Sequence, residues 1–522
     1  MATTDLIAKS LVYLDGDNLK VIDNASEQVK KAILAFLDMS STATGQKTYY
    51  NKKSEQLDAM KDIHNAVYDI NRGLYLAMLT LPGVMDISIQ HGITKVLSDT
   101  NSDESILSNN DEAELIKLLS NNLKADRLLK MFGMICDNKI NRRSVRTFIL
   151  VSILSHRNLP WWSVKYRRHL LKALRHAWGM KYSSVISRIL SGGIENASTQ
   201  DVSLVNRLID RYTINSSCPK NDIYESICYI FGKNINFNNE ILSARIKARD
   251  DLSAGKNLPS EVLEGIRGRF HKQVDKEFVI QLSKNVMTDK DKLRKQRSAK
   301  KSGINLEFNA SKLDAVSLYV YALEDGMTDD IHLELNEKAS RAVSYFPLHY
   351  ENAAIVLDTS LSMSGTNHNK NRPLAISLAI KDVIEKACQS CEIFCSGRDI
   401  DENGLVHASG DTSLAKSIAK AFMDEPDVVF LLTDGYENAP AGRVHEVMSA
   451  VRKLGINTPV YQFNPVMASE ASGVRRLSDH ISVLPISNPC GIGLSLIRAA
   501  IEQDIEVGLQ AILKSTMLHL AS

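Results

Sequence analysis

No apolar run in this sequence is long enough to cross a bilayer, which takes about 18 residues; the longest candidate, Thr147–Leu154, is far shorter. The opening stretch, Met1–Leu19, carries Asp5, Asp15 and Asp17 and lacks the apolar core of a secretory leader. Neither membrane insertion nor export is expected, and the expected location is the cytoplasm. Cysteine makes no framework. Cys136, Cys218, Cys228 and Cys490 are scattered, and no second ligand pair follows Cys388, Cys391 and Cys395 to complete a zinc site. Cys391–Cys395 reads instead as a strand with buried thiols, and an odd count of seven cysteines fits a reducing compartment. Proline is scarce at first: Pro82, Pro160, Pro219 and Pro259 precede residue 340, and eight follow it.

The most informative absence is of acid. From Asn138 to Ile194 there is no Asp or Glu, yet the stretch holds twelve Lys and Arg and all three tryptophans. A solvated helix surface normally mixes signs. On a helix expected over Ser163–Trp178, at about 100° per residue, Lys165, Arg168, His169, Lys172, Arg175 and His176 share one face. Leu170, Leu171, Leu174 and Trp178 share the opposite one, and Arg142 and Arg143 add charge upstream. Such a stripe repels itself unless a polyanion neutralises it, and nucleic acid is the natural polyanion. Pairing with acidic helices elsewhere in the chain is the alternative. A second basic cluster, Lys284–Lys301, reads as a solvent-exposed loop.

Two periods divide the chain near residue 345. Before it, apolar residues recur at helical spacing: Val29, Ile33, Phe36 and Leu37 after an Asn24-x-x-Glu27 start signal, then Leu115, Leu118 and Leu119. Residues 1–345 are expected to form a mainly α-helical superhelix of stacked, HEAT-like pairs rather than one compact bundle. After it, short apolar runs (Ala353–Leu357, Val428–Leu432, Val460–Phe463, Ile481–Ile486) alternate with helical stretches (Leu374–Ala387, Leu414–Met423, Arg443–Leu454, Leu494–Gln503). Residues 346–522 are thus expected to be an α/β, doubly wound, Rossmann-like domain with a parallel sheet. Ligands of such sheets bind beyond the carboxyl ends of the strands, and Asp358 and Asp434 sit at two of those ends.

Asp358-Thr-Ser360-Leu-Ser362 places a carboxylate and two hydroxyls on one tight loop. Thr412 offers a hydroxyl from a second loop, and Asp434 a carboxylate from a third. All are oxygen donors, which suits Mg²⁺ or another hard divalent cation and disfavours zinc. Three loops in this order resemble the metal-ion-dependent adhesion site (MIDAS) of von Willebrand factor A (vWA) domains. Catalytic motifs fare worse. A haloacid-dehalogenase phosphatase would need Asp where Ser360 stands, Gly491-Ile-Gly493 lacks the third glycine of a dinucleotide loop, and Gly45-Gln-Lys-Thr48 is not a P-loop. No catalytic residue is assigned, and no enzymatic activity is expected.

Taken in order, further pieces resemble a Ro60-type RNA-binding protein, with TROVE and vWA domains, of a divergent bacterial or phage kind. Thr48-Tyr49-Tyr50, the basic run Arg167–Leu174, Leu258–Val262 through Met287-Thr288, Lys312–Tyr321 and above all Asp358–Met363 carry the likeness. The resemblance implies a TROVE-like ring of HEAT-like helices closed by the vWA domain. It further implies binding of small noncoding (Y-like) RNA and of single-stranded 3′ ends of misfolded RNA. The same implication covers work in RNA quality control, in which an exoribonuclease or another protein with an acidic residue at the vWA metal can serve as a partner. The competing expectation is a metal-dependent protein-interaction scaffold that binds no RNA.

Overall fold

The computed structural model describes residues 27–45, 52–70, 72–99, 109–233, 235–343, 350–366, 369–468, 473–505, 507–509 and 511–512. The Asn24 start signal and Thr48-Tyr49-Tyr50 lie outside them. The chain combines a helical region with an α/β domain. Its contacts form two compact units: Met1–Ile93, Asn101–Asn122 and Ala310–Ser522 in one, Thr94–Thr100 and Leu123–Asn309 in the other. The change of period at residue 345 is therefore not where the contacts divide. Among the described residues no helix is long and apolar enough to cross a membrane.

In the first unit, β1 (Tyr350–Leu357), β2 (Cys388–Cys395), β3 (Val428–Leu432) and β4 (Val460–Asn464) are followed by a small antiparallel pair, β5 (Met467–Ala468) and β6 (Gly473–Val474), and by β7 (Ser482–Pro485). The sheet is parallel throughout, in the order β2-β1-β3-β4-β7. Register places Ile355 beside Ile393 on one side and Phe430 on the other. β1 and β3 are apolar without alternation because both faces are covered. Val356, Val429 and Leu431 pack with Ile418, Phe422, Val444 and Met448 of the helices Leu414–Met423 and Arg443–Lys453, while Ile355, Leu357 and Phe430 are equally buried. The expected elements of this segment are all present within a few residues.

The helix Arg372–Ala387 explains why more of the chain joins this unit. It is buried around almost its whole circumference, from Leu374 through Ile384, so it needs cover on both sides. The sheet supplies one side, and the helices Ala315–Asp325 and Asp329–Val343 pack against it as well. There the Tyr319 hydroxyl donates to Asp382 Oδ2 at 2.5 Å. The helix Glu27–Thr42 packs on Ile492–Gln503, tied by a buried ion cluster. Arg498 Nε lies 2.9 Å from Asp38 Oδ1, and Arg498 Nη1 lies 2.5 Å from Glu502 Oε2. The chain also approaches itself at Gly83, whose φ is 96°; a Cβ there would fall 2.6 Å from Gly491 Cα.

The second unit is helical. Its axis is the helix Leu159–Ser191, against which Ala125–Asp137, Arg143–Leu154 and Lys220–Ile230 pack. It is not straight: Tyr166 (φ −119°, ψ 24°) and Gly179 (φ 79°, ψ 158°) interrupt it. The expected Ser163–Trp178 helix is thus broken near its start, and Lys165 falls out of phase with the residues that follow. The leucine face holds past the bend, with Leu170, Leu174 and Trp178 buried and Leu171 partly so. Lys284–Lys301, expected as a loop, is largely the helix Asp289–Lys301. Thr288 caps it by accepting from Asp291 N at 3.2 Å, and Asp289 and Asp291 occupy the first turn, where carboxylates favour a helix whose remaining residues are mostly Lys and Arg.

Candidate metal centre and nucleic-acid interface

The three oxygen-bearing loops meet at one end of the sheet. From β1 the chain leads to β2 on one side, and β3 then lies on the other side of β1. The carboxyl ends of β1 and β3 therefore flank the switch point at which doubly wound sheets bind ligands. Asp358 directly follows β1, and Asp434 stands two residues beyond β3, after Thr433. Backbone bonds gather the loops: Asp358 N donates to Leu432 O at 2.9 Å, Ser409 N to Thr359 O at 2.8 Å, and Leu361 N to Gly410 O at 3.0 Å. Thr412 is joined to the loop beyond Asp434, its N–H donating to Asn438 Oδ1 at 2.9 Å and its carbonyl accepting from Ala439 N at 3.2 Å.

Asp358 is fully buried, and both its oxygens are engaged. Oδ1 accepts from Ser360 N at 2.9 Å and Ser396 Oγ at 3.4 Å; Oδ2 accepts from Thr433 Oγ1 at 2.6 Å. It holds the loop as much as it offers charge. Ser360 Oγ and Ser362 Oγ lie 3.1 Å apart, and the Ser362 hydroxyl also bonds the Asp434 carboxylate. Asp434 Oδ1 accepts from Tyr436 N at 3.1 Å, and burial, with the Asp358 charge second, pushes its carboxyl up to about 7. Ser362 and Asp434 face a cleft of about 70 Å³, shared with Asn369 and Arg372. Among the described residues no cluster of three or more His, Cys, Asp or Glu side chains is placed to hold a metal. This centre gathers only two carboxylates, the other donors being hydroxyls. That set fits a hard, oxygen-seeking cation and does not fit a soft one.

Sequence reasoning missed the supports. Thr433 and Ser396 bond Asp358, and Asn438 bonds Thr412. Ser396 is placed by sheet register: Cys395, one residue earlier, pairs with Leu357, so Ser396 stands beside Asp358. Cys391 and Cys395 lie on β2 as expected, but half-buried rather than buried, and that partial burial pushes their thiols up to about 12 and about 11.

The cations of the second unit fall into two groups. Some are already engaged. Lys165 Nζ is 3.3 Å from Glu261 Oε1, and Lys172 Nζ is 2.6 Å from Asp137 Oδ1. The Arg142 guanidinium donates to the Leu97 carbonyl, and His176 Nε2 lies 2.6 Å from Ile140 O. Arg143, Arg168 and Arg175 are exposed and have no carboxylate within ion-pair distance among the described residues. His169 is exposed, its pKa lowered by partial burial and then by Lys130 and Lys172.

The bend at Tyr166 creates what a straight helix would not. It brings Lys165, Arg167 and Arg168 to the wall of a recess of about 650 Å³, which Lys233, Arg245, Arg249 and Arg269 also line. Glu261 is its one carboxylate, already paired with Lys165. Arg167 Nε donates to Tyr229 O and Ile230 O, each at 3.1 Å. Gly232, with φ 76°, lets it in, since a Cβ there would stand 2.7 Å from Arg167 Nη2. Arg245 and Arg249, one helical turn apart in sequence, were the overlooked signal. Compared with known proteins, the chain matches no family model and no curated sequence.

Proposed function

We propose that this is a non-catalytic RNA-binding protein of the Ro60 type, a cytoplasmic ribonucleoprotein component acting in RNA quality control. In this reading the helices belong to a HEAT-like superhelix and the α/β domain is of vWA type. Y-like small RNA and single-stranded 3′ ends are the ligands. The observation that carries the reading is the excess of uncompensated cations in the helical unit: Arg143, Arg168 and Arg175 on its surface and the arginines of the recess. Exposed like charges without carboxylates are the electrostatic footprint of a polyanion partner. The oxygen centre serves a different purpose. Ser360, Ser362 and Thr412, with Asp358 and Asp434, would hold Mg²⁺, and the cation would supply a Lewis-acid position for an acidic side chain of a protein such as an exoribonuclease.

The scaffold reading, without RNA, draws on the Lys165–Glu261 and Lys172–Asp137 pairs, which satisfy two of the six residues of the expected stripe internally. Salt dependence separates the two. With an unstructured RNA, replacing Arg168 and Arg175 by Ala should lower the slope of log K against log salt by about 1.4, each single-strand phosphate contact contributing about 0.7. Lys172→Ala should change it less, because that charge is already paired. An unaltered slope and affinity in the double variant would remove RNA from this face.

A further inference from the structure

The recess of the helical unit holds more positive charge than a passing phosphodiester needs. Its volume of about 650 Å³ lies within the roughly 300–1,000 Å³ usual for small-ligand sites. Packed core backs it: Val164 and Tyr229 line the recess and also pack with Leu242, Leu263 and Ile266. Arg245 is the most telling residue. Its Nη1 is sealed from solvent and has no hydrogen-bond partner among the described residues. Burial lowers its pKa, and the charges of Arg249, Arg167 and Arg269 lower it further. A desolvated guanidinium facing three others is unfavourable until an anion enters between them.

The chemistry of that anion follows from the donors. Guanidinium forks match phosphate oxygens. An internal phosphodiester brings one charge, whereas a phosphomonoester brings about −1.5 to −2 and three acceptor oxygens, a closer match to several arginines. Phe270 lines the same recess, is 43% exposed and lies beside the Arg269 guanidinium at 5.2 Å. It offers a face on which a base can stack. Inorganic phosphate would leave that ring unused.

We propose that the recess is a site for a nucleoside phosphomonoester presented by the end of an RNA strand, with the terminal phosphate among Arg167, Arg245, Arg249 and Arg269 and the terminal base against Phe270. The proposal rests on the RNA-binding reading above. The test uses the full chain and one unstructured oligoribonucleotide in three forms: 5′-phosphorylated, 3′-phosphorylated, and with hydroxyls at both ends. Affinities are read by fluorescence anisotropy at matched ionic strength, with adenosine monophosphate as competitor. One phosphorylated form should bind at least about tenfold tighter than the hydroxyl form, the effect of one charge-assisted hydrogen bond. Arg249→Gln with Arg269→Gln, both at exposed positions, should bring that ratio towards one. Equal affinity for all three forms, or a ratio that survives in the double variant, overturns the end-recognition proposal and leaves RNA binding standing. No binding of any form overturns the RNA reading itself. Adenosine monophosphate binding as tightly as the phosphorylated strand would make the ligand a free nucleotide, and the strand-end assignment would fail.

Discussion

The oxygen centre and the arginine recess meet opposite electrostatic situations. At the first, two carboxylates are buried side by side and hydrogen-bonded: Asp358 accepts from Ser360, Ser396 and Thr433, and Asp434 from Tyr436. At the second, five arginines line a recess in which, among the described residues, the one carboxylate is already taken by Lys165. Buried charge must be compensated in place, or the fold suffers. The exposed Arg249 and Arg269 of the recess can remain uncompensated, because water and salt screen them until a partner arrives, whereas Arg245 keeps a buried Nη1 without a hydrogen-bond partner among the described residues. In the proposed reading the α/β unit offers its hydrogen-bonded oxygens to a single small cation, and the helical unit offers its unneutralised arginines to a polyanion.

The sharpest way to break this contrast is to remove compensation where burial is deepest. Asp38→Ala strips a partner from the buried Arg498 and should destabilise the protein by about 3 kcal/mol, measured by urea denaturation. Arg249→Ala, at an exposed position of the recess, should change stability by no more than about 0.5 kcal/mol. Comparable losses from the two changes would mean that the recess is structural and that the contrast is mistaken.

Metal loading gives the next effect in size. Mg²⁺ at a hundredfold excess over its Kd should stabilise the wild type by about 2.7 kcal/mol, seen as a raised melting temperature relative to EDTA. Asp434→Ala and Ser360→Ala should lack that increment. Identical melting of the wild type in Mg²⁺ and EDTA would deny the centre its cation.

The smallest expected effect sharpens the division of labour. Binding of an unstructured RNA should change less than about threefold, or roughly 0.65 kcal/mol, between Mg²⁺ and EDTA at matched ionic strength. One cation can meet one phosphate oxygen and offers no surface for a base, whereas several arginines contribute in the helical unit. If RNA binding collapsed both in EDTA and in Ser360→Ala, with circular dichroism unchanged, the metal would have to be counted as part of the RNA site.

Local pattern was enough for much of this molecule. Continuous apolar runs at Ala353–Leu357 and Val428–Leu432 dictate strands buried on both faces, and the oxygen donors at Asp358 and Asp434 were legible because they stand directly beyond those runs. The acid-free stretch likewise marked the helical unit as cationic, since charge is written in composition. Tertiary structure decided the rest. Nothing local says that Arg498 meets Asp38, or that Thr433 and Ser396 orient Asp358, because these pairs are brought together by packing and sheet register across long loops. Which cations remain available was also undecided until Asp137 and Glu261 came to rest against Lys172 and Lys165. The recess also lies beside a departure from ideal geometry that periodicity does not foretell: the helix bends at Tyr166, and the bare Gly232 leaves room for Arg167, whose Nε donates to Tyr229 O and Ile230 O.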